Sequence, residues 1–461
     1  MQNPDQGVTL NGQGHDLPTL VWPPGKRRFL GAFALLIVVL LLAGAASIPF
    51  IFESASILYK FGTDKIMLRT GKVLGMIAGT LLLLQLALAA RIRFLDRIFA
   101  LDRLFYFHQI SGTVIAACVL IHPVLILLPE DMLFIPLEIR YWPEFVGLGL
   151  LLFILGMAAS GNFRSVLRIP FNYWWLMHRM AVVATAAALF VHVLYVSDTF
   201  ESGLPRTIVF WAIGLYILLY VWVKLKRFTI RQRPYTLAAV EPAAKDAYRL
   251  HAEPHTREIK PHAPGQFAFI TIKSKHISRE EHPFTIAAAP TMRPDAEFVI
   301  RTSGDWTTNI GSVKPGDQVG VDGPYGLFTH LRVPEAREIV MIAGGIGITP
   351  MLSMLRYMAD TGDRRRVVLI WSNRTEAHIV LPEAFKDLEA GLPGLQVIHV
   401  LTDKPASKYP SRMRLQEMLA DVGRSSPVFL CGPPKMMTDT RKALLGLGFS
   451  RRKIFTERFS L

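Results

Sequence analysis

HQISGTVIAACVLIH (108–122) and HRMAVVATAAALFVH (178–192) are the stretches on which the fold turns: apolar runs bounded by histidines fourteen residues apart. On an α-helix fourteen residues advance about 1400°, within about 40° of whole turns, so both imidazoles of a run lie on one face. The rise is about 21 Å, which puts one ring near each leaflet of a bilayer. If the two helices run in the same direction, His108 meets His178 and His122 meets His192 at matching depths. Two such pairs suit two b-type haems stacked across the membrane, each iron held by one ring from each helix. The plainer alternative is a set of interhelical hydrogen bonds or a proton relay in a transporter. Two equal spacings favour the metal. Arg179 suits a haem propionate or a snorkelling cation equally, Trp174 and Trp175 fit the interfacial belt, and Cys118 fits a small packing position.

Working outward, six apolar runs near 29–51, 72–90, 104–128, 144–160, 174–196 and 206–223 match the roughly 20 residues of a spanning helix. The first is too long and too far from the start for a cleaved signal peptide. Composition agrees: 51% of the 461 residues are apolar and 19% charged, and the mean hydropathy is +0.32. A disordered chain and an ordinary soluble enzyme are both excluded. Two cysteines, Cys118 and Cys431, exclude a disulfide framework, a Cys-rich zinc site and a Cys-ligated cluster. The net charge of +15 does not point to nucleic acid, because residues 1–233, the greasiest half, carry 21 Lys/Arg against 12 Asp/Glu. Basic flanks (Lys26–Arg28, Arg91–Arg103, Arg164 and Arg168, Lys224–Arg233) fall on one side of the spans, and loops 129–142 and 197–205 on the other. Loop 52–71, with Lys60, Lys65 and Arg69, votes against the pattern. The majority places both termini in the cytoplasm.

After Arg233 the character changes. Short β-rich stretches (Phe267–Ile272, Phe298–Thr302, Gln318–Val321) alternate with Pro/Gly turns and read as a small antiparallel barrel. From about 337, strands (Glu338–Ala343, Arg366–Ser372, Leu395–Thr402, Pro427–Cys431, Lys453–Phe459) alternate with helical stretches and read as an open α/β sheet.

HPFT (282–285), expected to end a turn leading into a strand, offers what a flavin needs: an aromatic surface in Phe284, a hydroxyl in Thr285 and a phosphate donor in His282, with Pro283 between them. Arg301, Gly304 and Thr307, in IRTSGDWT, add a cation, a close-approach glycine and a hydroxyl. The ordinary alternative is a strand end with a half-buried Phe. A second motif weighs against it. Strand 339–343 runs into Gly344-Gly345-Ile346-Gly347-Ile348-Thr349-Pro350 and a helix, where glycines let amides approach a pyrophosphate and Pro350 suits the first turn. A second loop, Cys431-Gly432-Pro433-Pro434, follows a later strand, and both loops belong at the carboxyl edge of the sheet, where ligands bind.

These residues, with VDGPYG, CGPPKMM and the terminal ERFSL, resemble the ferric reductase and NADPH oxidase superfamily, a ferric-reductase-like haem bundle fused to a ferredoxin-NADP reductase-type module. The resemblance runs from about residue 70 to the end. It implies that His282 and Arg301 contact FAD phosphates, that Phe284 stacks on the isoalloxazine and that Thr285 sits near N5. It implies Gly344, Gly345, Gly347 and Thr349 on the nicotinamide nucleotide, and Cys431 and Gly432 near the nicotinamide. The terminal aromatic that covers the flavin in the family matches Phe459, although Ser460 and Leu461 follow it. The animal oxidases carry a further histidine one turn beyond the outer ligand of the third helix; here Ile126 stands there, which disfavours a dedicated superoxide producer. EF-hand loops are absent from the sequence. Arg374 suits a 2′-phosphate and the nearby Glu376 a free ribose hydroxyl, so the donor is NADPH or NADH, with NADPH favoured.

The expected organisation is a cytoplasmic tail (1–28), a six-helix transmembrane haem bundle (29–233), an FAD-binding β-barrel (234–335) and a Rossmann-like NAD(P) domain (336–461). The expected function is a plasma (inner) membrane oxidoreductase passing electrons from cytoplasmic NAD(P)H through FAD and two haems to an external acceptor. A ferric chelate ranks above oxygen, and a quinone or partner redox protein is the further choice. A histidine-relay transporter with a nucleotide sensor, and a reductase with a purely anchoring bundle, are the rivals.

Overall fold

The computed structural model describes residues 21–54, 57–132, 135–164, 166–169, 171–231, 235–255, 260–403 and 412–458. The chain divides into two compact units, 27–228 and the segment from 229 onward, with the first residues of the chain grouped with the latter.

The first unit is helical: α1 (Pro24–Ile51), α2 (Gly62–Ala89), α3 (Arg93–Phe99), α4 (Leu101–Leu127), α5 (Trp142–Phe163), α6 (Phe171–Val196) and α7 (Gly203–Arg231). All but α3 are long and apolar enough to cross a membrane. Leu35, Leu36, Phe210, Trp211 and Leu215 stand exposed on their surfaces, as side chains facing lipid do. At the centre α2 packs on α4 and α5 on α6. Ala78, Ile115, Leu150, Ile154 and Leu189 from these four helices close one apolar cluster, and Ile48 of α1 and Val209 of α7 join Phe200 in another. The second span begins ten residues earlier than the hydropathy suggests, because Lys65 and Arg69 are absorbed into the first turns of α2, where Arg69 pairs with Glu53. The short α3, unexpected from sequence, is tied to α1 by Arg27, whose Nη2 donates to the Ile98 carbonyl at 3.0 Å.

The second unit begins with six antiparallel strands, β1 (Tyr235–Ala244), β2 (Ala247–Pro254), β3 (Phe267–Lys273), β4 (Glu281–Thr285), β5 (Ala296–Arg301) and β6 (Gln318–Tyr325), in the order β4-β3-β6-β1-β2-β5. The two edges approach one another, and the Ala287 amide donates to the Glu297 carbonyl at 2.8 Å. A one-turn helix, α8 (Asp305–Thr308), follows β5. HPFT is not at a turn: all four residues lie in β4, at an edge of the sheet, where the missing N–H of Pro283 leaves no ladder bond broken on the outer side.

Five parallel strands complete the unit: β7 (Glu338–Gly344), β8 (Arg366–Asn373), β9 (Leu395–Leu401), β10 (Val428–Cys431) and β11 (Ile454–Glu457), in the order β11-β10-β7-β8-β9. Helices α9 (Thr349–Asp360), α10 (Pro382–Gly391), α11 (Arg412–Met418) and α12 (Pro434–Gly446) connect them. The strand order reverses between β7 and β10, so a crevice opens beyond their carboxyl ends.

Barrel and parallel sheet are joined through a fully buried carboxylate. Glu297 of β5 accepts from Arg249 at 2.8 Å and from Arg356 of α9 at 2.7 Å, and Arg356 also donates to the Ala287 carbonyl at 2.9 Å. Removing a cation from a buried carboxylate strands its charge, at about 3–5 kcal/mol, whereas the isosteric neutral Gln keeps most of the hydrogen bonds. Arg356→Met should therefore lower the melting temperature more than Glu297→Gln; calorimetry showing the reverse order would refute this account.

Two buried histidines give the unit a pH dependence. Burial lowers His262 to about 4 and His330 to about 3, from an ordinary 6.5. Both are neutral when folded but take up protons when unfolded, so stability falls as pH drops below about 6.5 and levels off below the folded values. Between about pH 7 and pH 5, above most carboxylate titration, the loss of stability should shrink in His262→Gln/His330→Gln.

Candidate functional site

The helical unit brings the four histidines together two by two. The rings of His108 (α4) and His178 (α6) have centroids 5.9 Å apart at 72°, and those of His122 (α4) and His192 (α6) 6.5 Å apart at 89°. The pairing is the one the fourteen-residue spacing predicts. Nδ1 of His122 donates to the Gly71 carbonyl at 2.8 Å and Nδ1 of His192 to the Pro143 carbonyl at 3.1 Å. Nδ1 of His108 and of His178 are buried and make no hydrogen bond of acceptable geometry. The Trp174 indole stacks on His178, 5.0 Å between centroids and 20° between planes, with Nε1 donating to Ser160 Oγ at 3.2 Å. It is thus wedged against a candidate ligand rather than simply facing a membrane interface. Arg179 lies over the Trp175 ring at 4.2 Å, and Cys118 packs beside the central apolar cluster.

In the second unit a cavity of about 220 Å³ opens at the carboxyl ends of β7 and β10. It is lined by Gly344, Ile346 and Gly347 of the first loop, by Gly432, Pro433, Pro434 and Met437 of the second, and by Arg301 and Arg458. Two loops and two guanidiniums around one crevice suit a dinucleotide pyrophosphate. Gly345 has φ +54°, and a Cβ there would strike Arg301 Nη1 at 2.2 Å. A Cβ on Gly347 would lie 2.5 Å from the Cys431 carbonyl oxygen. Thr349 is buried with its hydroxyl donating to the Ile346 carbonyl at 3.1 Å, closing the loop, and Pro350 sits in the first turn of α9.

Arg301, expected on flavin phosphates, pairs with Asp246 at 3.1 Å, lies against Gly345 and lines the crevice between the two loops. Cys431 is not exposed to the cavity: it is fully buried among Phe429, Ala343 and Ile348, and desolvation, followed by the charge of Glu457, pushes its thiol well above the ordinary range. The Thr307 hydroxyl accepts from the Ser303 and Gly304 amides, both at 2.9 Å, so it shapes its own loop. Arg374 is exposed just beyond β8, near Glu376. Phe459 lies outside the described residues, as do Ser460 and Leu461 and the first twenty residues of the tail.

On β4, His282 sits 4.5 Å from the Trp306 ring and pairs with Glu280 at 3.1 Å, while Phe284 stacks with Trp306 at 6.0 Å and 23°. The Trp306 indole donates to the Ser278 carbonyl at 2.8 Å. His282, Pro283 and Phe284 are half-buried and Thr285 is buried, so the edge strand presents a partly open aromatic face. Trp306 and Arg458 are the residues sequence reasoning passed over. The first stood in the quoted GDWT run, and the second adjoined the terminal aromatic.

A model of the ferric reductase like transmembrane component matches residues 74–189, one of an FAD-binding domain 237–329, and one of an oxidoreductase NAD-binding domain 341–442. The chain belongs to the ferric reductase and NADPH oxidase superfamily. As a superfamily member it joins a multi-pass ferric-reductase-like membrane component to an FAD-binding domain and an oxidoreductase NAD-binding domain. Among curated relatives, the reductase component of propane 2-monooxygenase from Mycolicibacterium goodii is 29% identical over 233 residues, 48% of this chain and 66% of the relative. The NADH-cytochrome b5 reductase 1 of Candida glabrata is 31% identical over 168 residues, 34% of this chain and 58% of the relative. The chain thus spans less than two thirds of the length of these relatives. The Amycolatopsis cytochrome P450 reductase GcoB, whose crystal structure covers 49% of this chain and is itself 69% covered, is 24% identical with a TM-score of 0.42.

Gly347→Ala should disable this member at the crevice alone. Its Cβ meets backbone, which cannot swing away, so the pyrophosphate loop is displaced by up to about 1 Å. Flavin reduction by NAD(P)H in stopped flow should slow on the order of 100-fold with FAD content unchanged. Reduction at the native rate would show that the crevice does not bind the nucleotide.

Proposed function

We propose that the chain carries electrons from cytoplasmic NAD(P)H, by way of FAD and two b-type haems, across the plasma (inner) membrane to an external acceptor, a ferric chelate. The observation that carries the proposal is the pair of facing imidazole couples on α4 and α6, at opposite ends of two apolar helices. Two rings sharing one metal at about 2 Å per nitrogen stand with centroids roughly 6 Å apart, close to the spacing found in both couples. Among the described residues no three metal-binding side chains converge, so a bare ion would be left two-coordinate. A haem, which brings ring nitrogens of its own, would be held by the two imidazoles of each couple without a third protein ligand. When bound, flavin converts a hydride into single electrons and haem iron relays them.

The residues then have separate tasks. Gly344, Gly345, Gly347, Gly432 and Pro433 shape the crevice for the dinucleotide, with Arg301 beside its negative charge. Exposed Arg374 at the end of the neighbouring strand favours a 2′-phosphate, hence NADPH over NADH. The half-buried rings of His282 and Phe284, backed by the buried Trp306, offer a flat flavin its surface, with Thr285 next along the strand. His108 and His178 hold the inner iron, His122 and His192 the outer. The basic flanks put the nucleotide module inside. Ile126 supports a chelate over oxygen as acceptor: a Cβ added to Gly71 would meet its Cδ1 at 2.9 Å, so an apolar side chain packs where a proton donor would help oxygen reduction.

Anaerobic NADPH added to the purified chain should bleach the flavin and then develop a reduced b-type spectrum at two haems per chain. His122→Ala/His192→Ala should abolish reduction of an impermeant ferric chelate while flavin reduction persists. A colourless protein would favour the transporter. Undiminished external reduction would make the bundle an anchor, and fast oxygen consumption without chelate reduction would make the chain an oxidase.

A further inference from the structure

The two imidazole couples are seated by different means. His122 of α4 lies on α2, where its Nδ1 meets the Gly71 carbonyl at 2.8 Å. One turn along is Gly75, whose Cβ, if present, would press within 2.9 Å of the ring's Cε1. His192 of α6 lies on α5 in the same way. Its Nδ1 meets the Pro143 carbonyl at 3.1 Å, and one turn along is Gly147, whose Cβ would come within 2.4 Å of Cε1. The device is used twice: a helix carbonyl at one position and a glycine four residues later, so that an imidazole can lie flat against the helix and reach the carbonyl. A carbonyl oxygen only accepts, which puts the proton on Nδ1 and the lone pair on Nε2 of each outer ring. The inner couple has no such seat. Neither Nδ1 has a hydrogen bond of acceptable geometry, and His178 is held instead by the stacked Trp174 indole.

An Nδ1–H donated to a carbonyl raises the basicity of the opposite nitrogen, and a more basic axial ligand favours the oxidised metal. Building on the haem reading, we propose that Gly75 and Gly147 are positioning residues that seat the outer histidines, and that this seating makes the outer haem the lower in potential of the two. The intrinsic order then opposes transfer from the inner to the outer site, and a cytoplasm-negative membrane potential works in its favour.

Potentiometric titration of the detergent-purified full chain, followed in the visible haem spectrum, tests both halves. His108→Ala/His178→Ala leaves the outer site, which should titrate at the lower of the two wild-type midpoints; His122→Ala/His192→Ala leaves the inner, which should titrate at the upper. Gly75→Ala and Gly147→Ala should each keep two haems and raise only the lower midpoint. At a fixed potential the reduced-to-oxidised ratio should grow on the order of tenfold, about 59 mV for a one-electron couple. The opposite order of midpoints, or glycine variants that lower thermal stability while both midpoints stay put, would overturn the proposal. If the tighter Gly147→Ala does not fold, Gly75→Ala and the double histidine variants decide. A wild-type chain without haem defeats the haem reading itself, whereas a two-haem chain with unmoved midpoints defeats only the seating.

Discussion

Hydrocarbon offers a polar atom no water, so an imidazole placed inside an apolar bundle has to be satisfied by a backbone group, by another side chain or by a metal. Four imidazoles sit in the core of this helical unit, and the arrangement of the helices around them follows from that demand. α4 and α6 bring the rings together in two pairs, while α2 and α5 supply the carbonyls of Gly71 and Pro143 to His122 and His192. α1 and α7 supply no carbonyl to these rings; each contributes one residue, Ile48 and Val209, to a separate apolar cluster around Phe200. A bundle held by apolar packing alone would have no reason to align two pairs of rings at two depths.

The second unit answers a different constraint, that of putting a dinucleotide where a sheet changes direction. The reversal between β7 and β10 lets two loops face one crevice, and close backbone approach accounts for the residues in them. The carboxylate of Glu297 then fixes the barrel to α9, whose first turn carries the end of the same loop. The aromatic strand β4 and the crevice are thereby held in one compact unit, which hydride transfer between two bound cofactors requires.

Much of this was legible in the sequence, for reasons that can be stated. The histidine spacing survives into the structure because a long apolar helix has a fixed period and little freedom to depart from it. The glycine loop was legible because it sat between a strand and a helix, where backbone sterics limit what the loop can be. What escaped was set by tertiary context. β1 and β2 read YTLAAVEPAA and AYRLHAEP, with alanines, a proline and charged residues among few strand formers, and they are strands because they pair with each other, with β5 and with β6. HPFT was expected to end a turn leading into a strand, but it lies within β4, an edge strand, where a proline is tolerated. For Cys431, which the resemblance puts near the nicotinamide, the motif does not say which way the side chain turns; its burial in the core is a property of the strand's register. The glycines at 75 and 147 looked like ordinary small residues of a transmembrane helix, since nothing local tells which ring will lie on them.

Beneath the crevice, the fully buried indole of Trp371 donates to the Gly345 carbonyl at 3.0 Å and packs against Phe385. The phosphate loop is therefore pinned from below by a group that the dinucleotide never touches. A loop already fixed in its binding shape has little conformational entropy left to surrender when ligand arrives, and gains little when ligand leaves. Turnover at this end of the chain then needs no loop to fold and unfold in each cycle. Oxidised nucleotide could then exchange for reduced as fast as its own contacts break, which suits a module that has to reduce its flavin repeatedly.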